Sequence, residues 1–170
     1  MKKSLLIFAA IVLMAGFTTK VMAQATDTKP NNANAQILGA IALTAVNPLE
    51  FGSMNPGATI GTVVLTTLNV ATASGGVLLV AGIPTAASYT VTGAGSRTYA
   101  ITIPTAPFNI TCATAQTMAV TAMNCSYSGL TSTFTVGGTD AFTVGGTLNV
   151  AINQVVGVYT GTFPVTVAYN

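Results

Sequence analysis

From residue 33 onward, apolar and polar positions alternate in short runs. Ala33, Ala35, Ile37, Gly39, Ile41, Leu43 and Ala45 share one set of alternate positions. The stretch GVYTGTFPVTVAYN, 157–170, does the same over a longer reach. Gly157, Tyr159, Gly161, Phe163, Val165, Val167 and Tyr169 fall on one face, and Val158, Thr160, Thr162, Pro164, Thr166, Ala168 and Asn170 on the other. Side chains of a β-strand point to opposite faces in turn, so a period of two is a strand signal. Further β-like runs lie at 61–68, 76–81, 88–92, 98–103, 108–112, 117–127, 132–136 and 147–152, ahead of a last strand at 159–169. Gly, Pro, Ser and Asn separate them, and no window after residue 23 carries a helical stripe. Many short strands at this spacing predict an all-β sandwich, with an up-and-down barrel as the other arrangement.

The punctuation adds detail. NPLEFGSMNPG, 47–57, predicts a bend and a turn from its Pro and Gly residues. FTVGGT occurs at 134–139 and again at 142–147. Each Gly-Gly pair suits a tight turn, so duplicated hairpin geometry is expected. Two copies at this short period do not make a solenoid.

The first 23 residues read differently. Lys2 and Lys3 precede an apolar run, 5–17, too short to span a bilayer, and Val21-Met22-Ala23 ends on a small residue. This is the order of a secretory signal peptide at 1–23, cut after Ala23, with export through the Sec route. An uncleaved anchor is the alternative. Residues 24–36, QATDTKPNNANAQ, are expected to form a flexible extension ahead of one domain at 37–170.

Loss of the signal changes the charge. The whole chain has five Lys and Arg against three Asp and Glu, a net of +2. The exported part keeps Lys29 and Arg97 against Asp27, Glu50 and Asp140, a net of −1. No basic patch remains to hold a phosphate backbone, so nucleic acid is not an expected partner. A surface made polar by Thr, Ser, Asn and Gln offers little repulsion against association, and suits a protein covered by copies of itself.

The chain has two cysteines, Cys112 and Cys125, and no His. In an exported protein the even count points to one disulfide, here across a hairpin turning near 115–117, contributing about 3 kcal/mol by loop entropy. Two free thiols are the alternative. Two thiols alone do not close a zinc shell, and neither metal nor cofactor is expected. Acid–base catalysis has little to work with. Asp27 lies in the extension, Glu50 in the bend and Asp140 in the loop expected between the FTVGGT copies. Such scattered carboxylates, like Arg97, read as solvated surface groups. Serine has no base and no GxSxG elbow. The chain is therefore expected not to be an enzyme and to have no small-molecule substrate. No Trp is present, and most of the five Tyr fall on strand-like runs, so an aromatic sugar platform is not indicated.

Counted back from Asn170, Tyr169 is second, Val167, Val165 and Phe163 are fourth, sixth and eighth, and Gly157 is fourteenth. This resembles the C-terminal signature of pilin subunits assembled by the chaperone–usher pathway. PLEFGSM, 48–54, is similar to the P-L-x-F-G-x-[YM] segment of the archaic, spore-coat-U-like branch of those pilins. Most of the exported chain also resembles a broadly distributed family of secreted bacterial β-sandwich proteins of unassigned function. That likeness rests on L-x-F-G at 49–52, G-G-T-L-x-V at 145–150 and G-x-Y-x-G-x-F-x-V-x-V-x-Y at 157–169.

The pilin resemblance implies an immunoglobulin-like sandwich that lacks one strand and is completed by a strand from the next subunit. By that analogy 33–43 is the donor strand, with Ile37, Ile41 and Leu43 as plugs and Gly39 at a close approach. The C-terminal edge strand, through Gly157, Tyr159, Phe163, Val165, Val167 and Tyr169, borders the groove, and Pro164 fits an edge because it donates no ladder bond. The resemblance further implies other copies of the chain as partners, with a periplasmic chaperone and an outer-membrane usher. The product is then a fimbria-like filament, periplasmic in transit and finally extracellular or on the cell surface. A self-contained secreted sandwich without strand exchange, serving as matrix, coat or carbohydrate-binding protein, is the alternative.

Overall fold

The computed structural model describes residues 26–170. The expected signal peptide at 1–23, and residues 24 and 25 of the extension, lie outside the described residues. The chain divides into two units, Met1–Gln36 and Ile37–Asn170. In the first, residues 26–36 are exposed and form neither helix nor strand. Lys29 and Asp27 make an exposed ion pair there at 3.6 Å, of a solvated kind that contributes little.

The second unit is a β-sandwich. Its strands are β1 (Ala42–Asn47), β2 (Ser53–Asn55), β3 (Gly61–Leu65), β4 (Ala71–Gly75), β5 (Leu78–Ala81) and β6 (Ala87–Thr92). They continue with β7 (Thr98–Thr102), β8 (Phe108–Thr111), β9 (Thr117–Cys125), β10 (Thr131–Thr133), β11 (Thr139–Val150) and β12 (Thr166–Tyr169). A short 3-10 turn at Ser128–Leu130 is the only helical element among the described residues. The largest sheet runs β1-β6-β11-β3-β4, with β9 on β11 and β8 on β9; β10-β7-β12 and β2-β5 form two smaller sheets. Every pairing is antiparallel.

Alternation decides what each strand buries. On β3, Val63 and Leu65 are fully buried, while Thr62 and Val64 face out. The inward sets form two cores. One joins Val63, Leu65, Val120, Leu148 and Val150 under Phe51 and Val77. The other sets Val91, Phe142 and Val144 of the large sheet against Tyr99, Ile101 and Phe134. The three-stranded sheet covers this second core, with Phe134 stacked on Tyr99 at 4.5 Å.

β11 connects the two cores. Its first half pairs with β6, its second half with β3. Val144 pairs with both Ala87 and Cys125, and Thr147 with both Val64 and Thr121, so β9 lies on the opposite edge from β6 and β3. Phe142 and Val144 enter one core, Leu148 and Val150 the other.

The two FTVGGT copies do not share a structure, contrary to the expectation of duplicated turns. The first ends in a turn closed by Gly138 N–H on the Thr135 carbonyl at 2.9 Å, with Gly138 at φ 72. That left-handed backbone suits Gly. The second copy is buried inside β11. A Cβ on Gly145 would collide with the Leu65 carbonyl oxygen, and one on Gly146 would lie 2.7 Å from the Met123 sulfur. These glycines serve strand-to-strand approach, not reversal.

Candidate functional site

The last fourteen residues keep their alternation in three dimensions, but only part of them joins a sheet. Thr166–Tyr169 pairs with β7 along one edge. Upstream, residues 161–165 join no ladder, and Thr160 is held by a single bridge to Thr111 at 2.8 and 3.0 Å. Pro164 lies in this unladdered stretch. The expected strand at 159–169 is thus a four-residue strand preceded by an extended, mostly unpaired segment.

Its inward face is covered only in part. Tyr159 packs against the first core; Phe163, Val165, Val167 and Tyr169 pack against the second, and all five are half-buried. Phe163 stacks on Phe108 at 5.4 Å. Gly157 adjoins Cys112, where a Cβ would stand 3.2 Å from the Cys112 Cβ. Tyr159 donates its hydroxyl to the Val155 carbonyl at 2.7 Å and accepts from the Gln154 amide at 2.8 Å. Tyr169 accepts from Ala94 N–H at 2.6 Å and donates to the Gly39 carbonyl at 2.9 Å.

A groove of about 960 Å³ opens between residues 45–56 and residues 155–163. Leu49, Phe51, Tyr89, Val120, Phe108 and Phe163 contribute to its apolar wall. β1, whose Ala45, Val46 and Asn47 line the groove, pairs along one edge only, with β6, and β12, which follows the lining segment in the chain, pairs only with β7. Unpaired edges over apolar surface invite a further strand.

A family model described as a domain of unknown function (DUF4402) matches residues 41–169. The chain belongs to the DUF4402 family. No curated protein and no solved structure gives a significant match. The DUF4402 match begins one residue before β1 and ends with β12, so all the residues that line the groove lie inside the family domain.

The expected donor residues separate into two pairs, Ile41 and Leu43 inside the DUF4402 match and Ile37 and Gly39 ahead of it. Ile41 and Leu43 pack into the chain's own second core, beside Phe163, Val165 and Val167. Leu43 pairs with Val91 on β6. Ile37 is 98% exposed, and a Cβ on Gly39 would meet nothing within 4 Å.

The hairpin disulfide is not formed: Cys112 and Cys125 are free thiols. Cys112 sits in the turn, where Ala115 N–H donates to its carbonyl and its own N–H donates to Gln116. Cys125 ends β9, opposite Val144 and eight residues beyond Thr117. A strand of that length puts roughly 25 Å between hairpin turn and strand end, against the ~7 Å limit between bridged Cα atoms.

Asp140 is not a loop carboxylate. It lies on β11 and accepts hydrogen bonds from Tyr127 at 2.7 Å, Ser132 at 2.7 Å, Tyr99 at 3.0 Å and Ala141 N–H at 2.8 Å. Burial pushes its carboxyl up, but these bonds together outweigh it and hold the group below its ordinary range. Tyr99, fully buried, is pushed far above the usual phenol range, by burial first and then by Asp140. The cluster ties β11 to β7 and β10, with Tyr99 buried and Tyr127, Ser132 and Asp140 half-buried. Glu50 is exposed and bridges to Thr85 through backbone bonds alone. No group of His, Cys, Asp and Glu able to hold a metal occurs among the described residues.

Proposed function

We propose that the chain is a non-enzymatic structural subunit of a cell-surface filament whose copies join by β-strand addition. The observation that carries this reading is the seam. An apolar groove runs beside an extended segment whose inward side chains are half-exposed and whose backbone is unladdered at 161–165. An added strand would bond to that backbone and bury those side chains. The occupant in this reading is the N-terminal segment of a second copy. Because Ile41 and Leu43 serve their own core, the donated part is shorter than 33–43. It lies upstream of β1, with Ile37 as its principal apolar side chain. Sec export, a periplasmic chaperone that shields the groove and an outer-membrane usher complete the proposal.

Deletion of residues 24–40 tests it. Material sheared from cells, run on a denaturing gel without boiling, should give a ladder of multimers that collapses on boiling; the deletion should leave monomer only. An unchanged ladder from the deleted chain would overturn donation by this segment.

A second reading has its own support. Since β1 already pairs with β6, the sandwich has a first strand of its own. A self-contained surface or matrix protein would give one monomer band in both lanes and unfold reversibly in two states.

A further inference from the structure

The outward face of the sheet carries a feature that strand addition does not use. The registers place Ser74 of β4 beside Thr62 of β3, and Thr62 beside Asn149 of β11. Asn149 donates to the carbonyl of Ala119 on β9, and Ala119 is paired with Asn109 of β8. A single polar row therefore crosses five strands, about 19 Å at the usual strand spacing. It lines a groove of about 590 Å³ that also takes in Thr117 and Gln154.

Three properties of this groove point to one ligand chemistry. No ionisable side chain lines it, so it has no means to select a charged partner. Its polar groups are amides and hydroxyls, which both donate and accept. All but Asn109 are also held in place. The Asn149 amide nitrogen spends its hydrogens on Ala119 O at 3.1 Å and Thr121 Oγ1 at 2.9 Å, which leaves the amide oxygen to accept. Gln154 is fixed by bonds to Ala151, Thr117 and Tyr159. The Thr62 and Ser74 hydroxyls bond one another at 2.7 Å, and Asn109 makes no side-chain hydrogen bond. At the rim, Ile60 is 73% exposed and offers an apolar surface.

We propose that this groove, through Thr62, Ser74, Asn109 and Asn149, binds a neutral polysaccharide. Neutral sugars present what the row can pair with: hydroxyls that donate and accept at short intervals, and C–H faces for an apolar rim. Without an aromatic platform each site binds weakly, and repeated display along a polymer raises the overall affinity. Met118, Val150 and Gln154 line both grooves, but Thr62, Ser74, Asn109 and Asn149 line only this one, so variants at the two Asn test it apart from the assembly reading.

The test is native affinity electrophoresis of the full chain in gels holding a neutral β-glucan, dextran or mannan, with alginate as the anionic control. Retardation is expected in at least one neutral gel, unchanged at high salt. Asn149→Ala should weaken it by about tenfold, the scale of a lost neutral hydrogen bond. Asn109→Ala should also weaken it, and keeps the test valid if Asn149→Ala fails to fold, because Asn109 makes no side-chain bond. No retardation in any neutral gel, retardation in alginate alone, or retardation that survives Asn109→Ala in full would each overturn the proposal.

Discussion

At the scale of single residues, Asp140 shows what a charge does inside a nearly uncharged domain. Three hydroxyls and one amide converge on it. Asp140→Asn keeps the shape but turns acceptor capacity into donor, leaving at least one of Tyr99, Tyr127 and Ser132 without its partner. A loss of about 2 kcal/mol is expected, read as a fall of roughly 5 °C in a melting curve. The pH dependence follows from a carboxyl held below its unfolded value. Its contribution is complete above about pH 5 and drains away as pH falls through roughly 4 and below. Asp140→Asn should flatten that acid limb while lowering stability at neutral pH. A steep acid limb retained in the variant would assign the effect elsewhere. None of this was legible in the sequence. The three hydroxyl donors lie 41, 13 and 8 residues away, and only the sheet brings them together.

At the scale of elements, the alternating pattern located most strands and missed those it could not mark. β4, ATASG, has no large apolar residue to alternate, and β2 is three residues inside a bend. The pattern was right about faces and wrong about pairing. The odd positions of 159–169 do turn inward, yet only the last four residues find a ladder, because pairing depends on a neighbour the sequence does not name. Repeated words misled for the same reason: one FTVGGT is a turn and the other is buried strand. Their first glycines should therefore respond oppositely. A Cβ on Gly137 meets only Thr135 Oγ1 at 3.9 Å, whereas one on Gly145 strikes the Leu65 carbonyl. Gly137→Ala should leave the melting temperature within a few degrees, and Gly145→Ala should cost upwards of about 2 kcal/mol or prevent folding. Equal effects would contradict the assignment. The cysteines, set by the length of β9, should titrate as two thiols in denaturant without added reductant, and migration on a gel should not change with reductant.

At the scale of the whole molecule, composition sets the surface and pattern sets the fold class. The unit from Ile37 carries Glu50, Arg97 and Asp140 as its only charged side chains, and Asp140 is spent within the fold. Ile83, Leu68 and Val158 are more than four-fifths exposed. A surface of this kind gives weak colloidal repulsion. The fold class was readable because an all-β chain must bury every second residue somewhere. The groove could not be read from any one segment of the sequence, since it forms between residues 45–56 and 155–163 only in the fold. The polar row was invisible for the same reason: Ser74, Thr62, Asn149 and Asn109 belong to four strands and fall into line only through register.

The sharing of β11 between both cores bears on how the domain comes apart. Phe142 and Val144 anchor one half, Leu148 and Val150 the other, on one uninterrupted backbone. Neither half can open without pulling its end of that strand away from the partner half. Amide hydrogen exchange should show this directly. The amides of β11 should exchange last and all together, at the free energy of global unfolding, while those of Gly161, Thr162, Phe163 and Val165 exchange early. Two separate protection levels within β11 would mean that the cores open independently. A single spine of this sort turns local breathing into an all-or-nothing event.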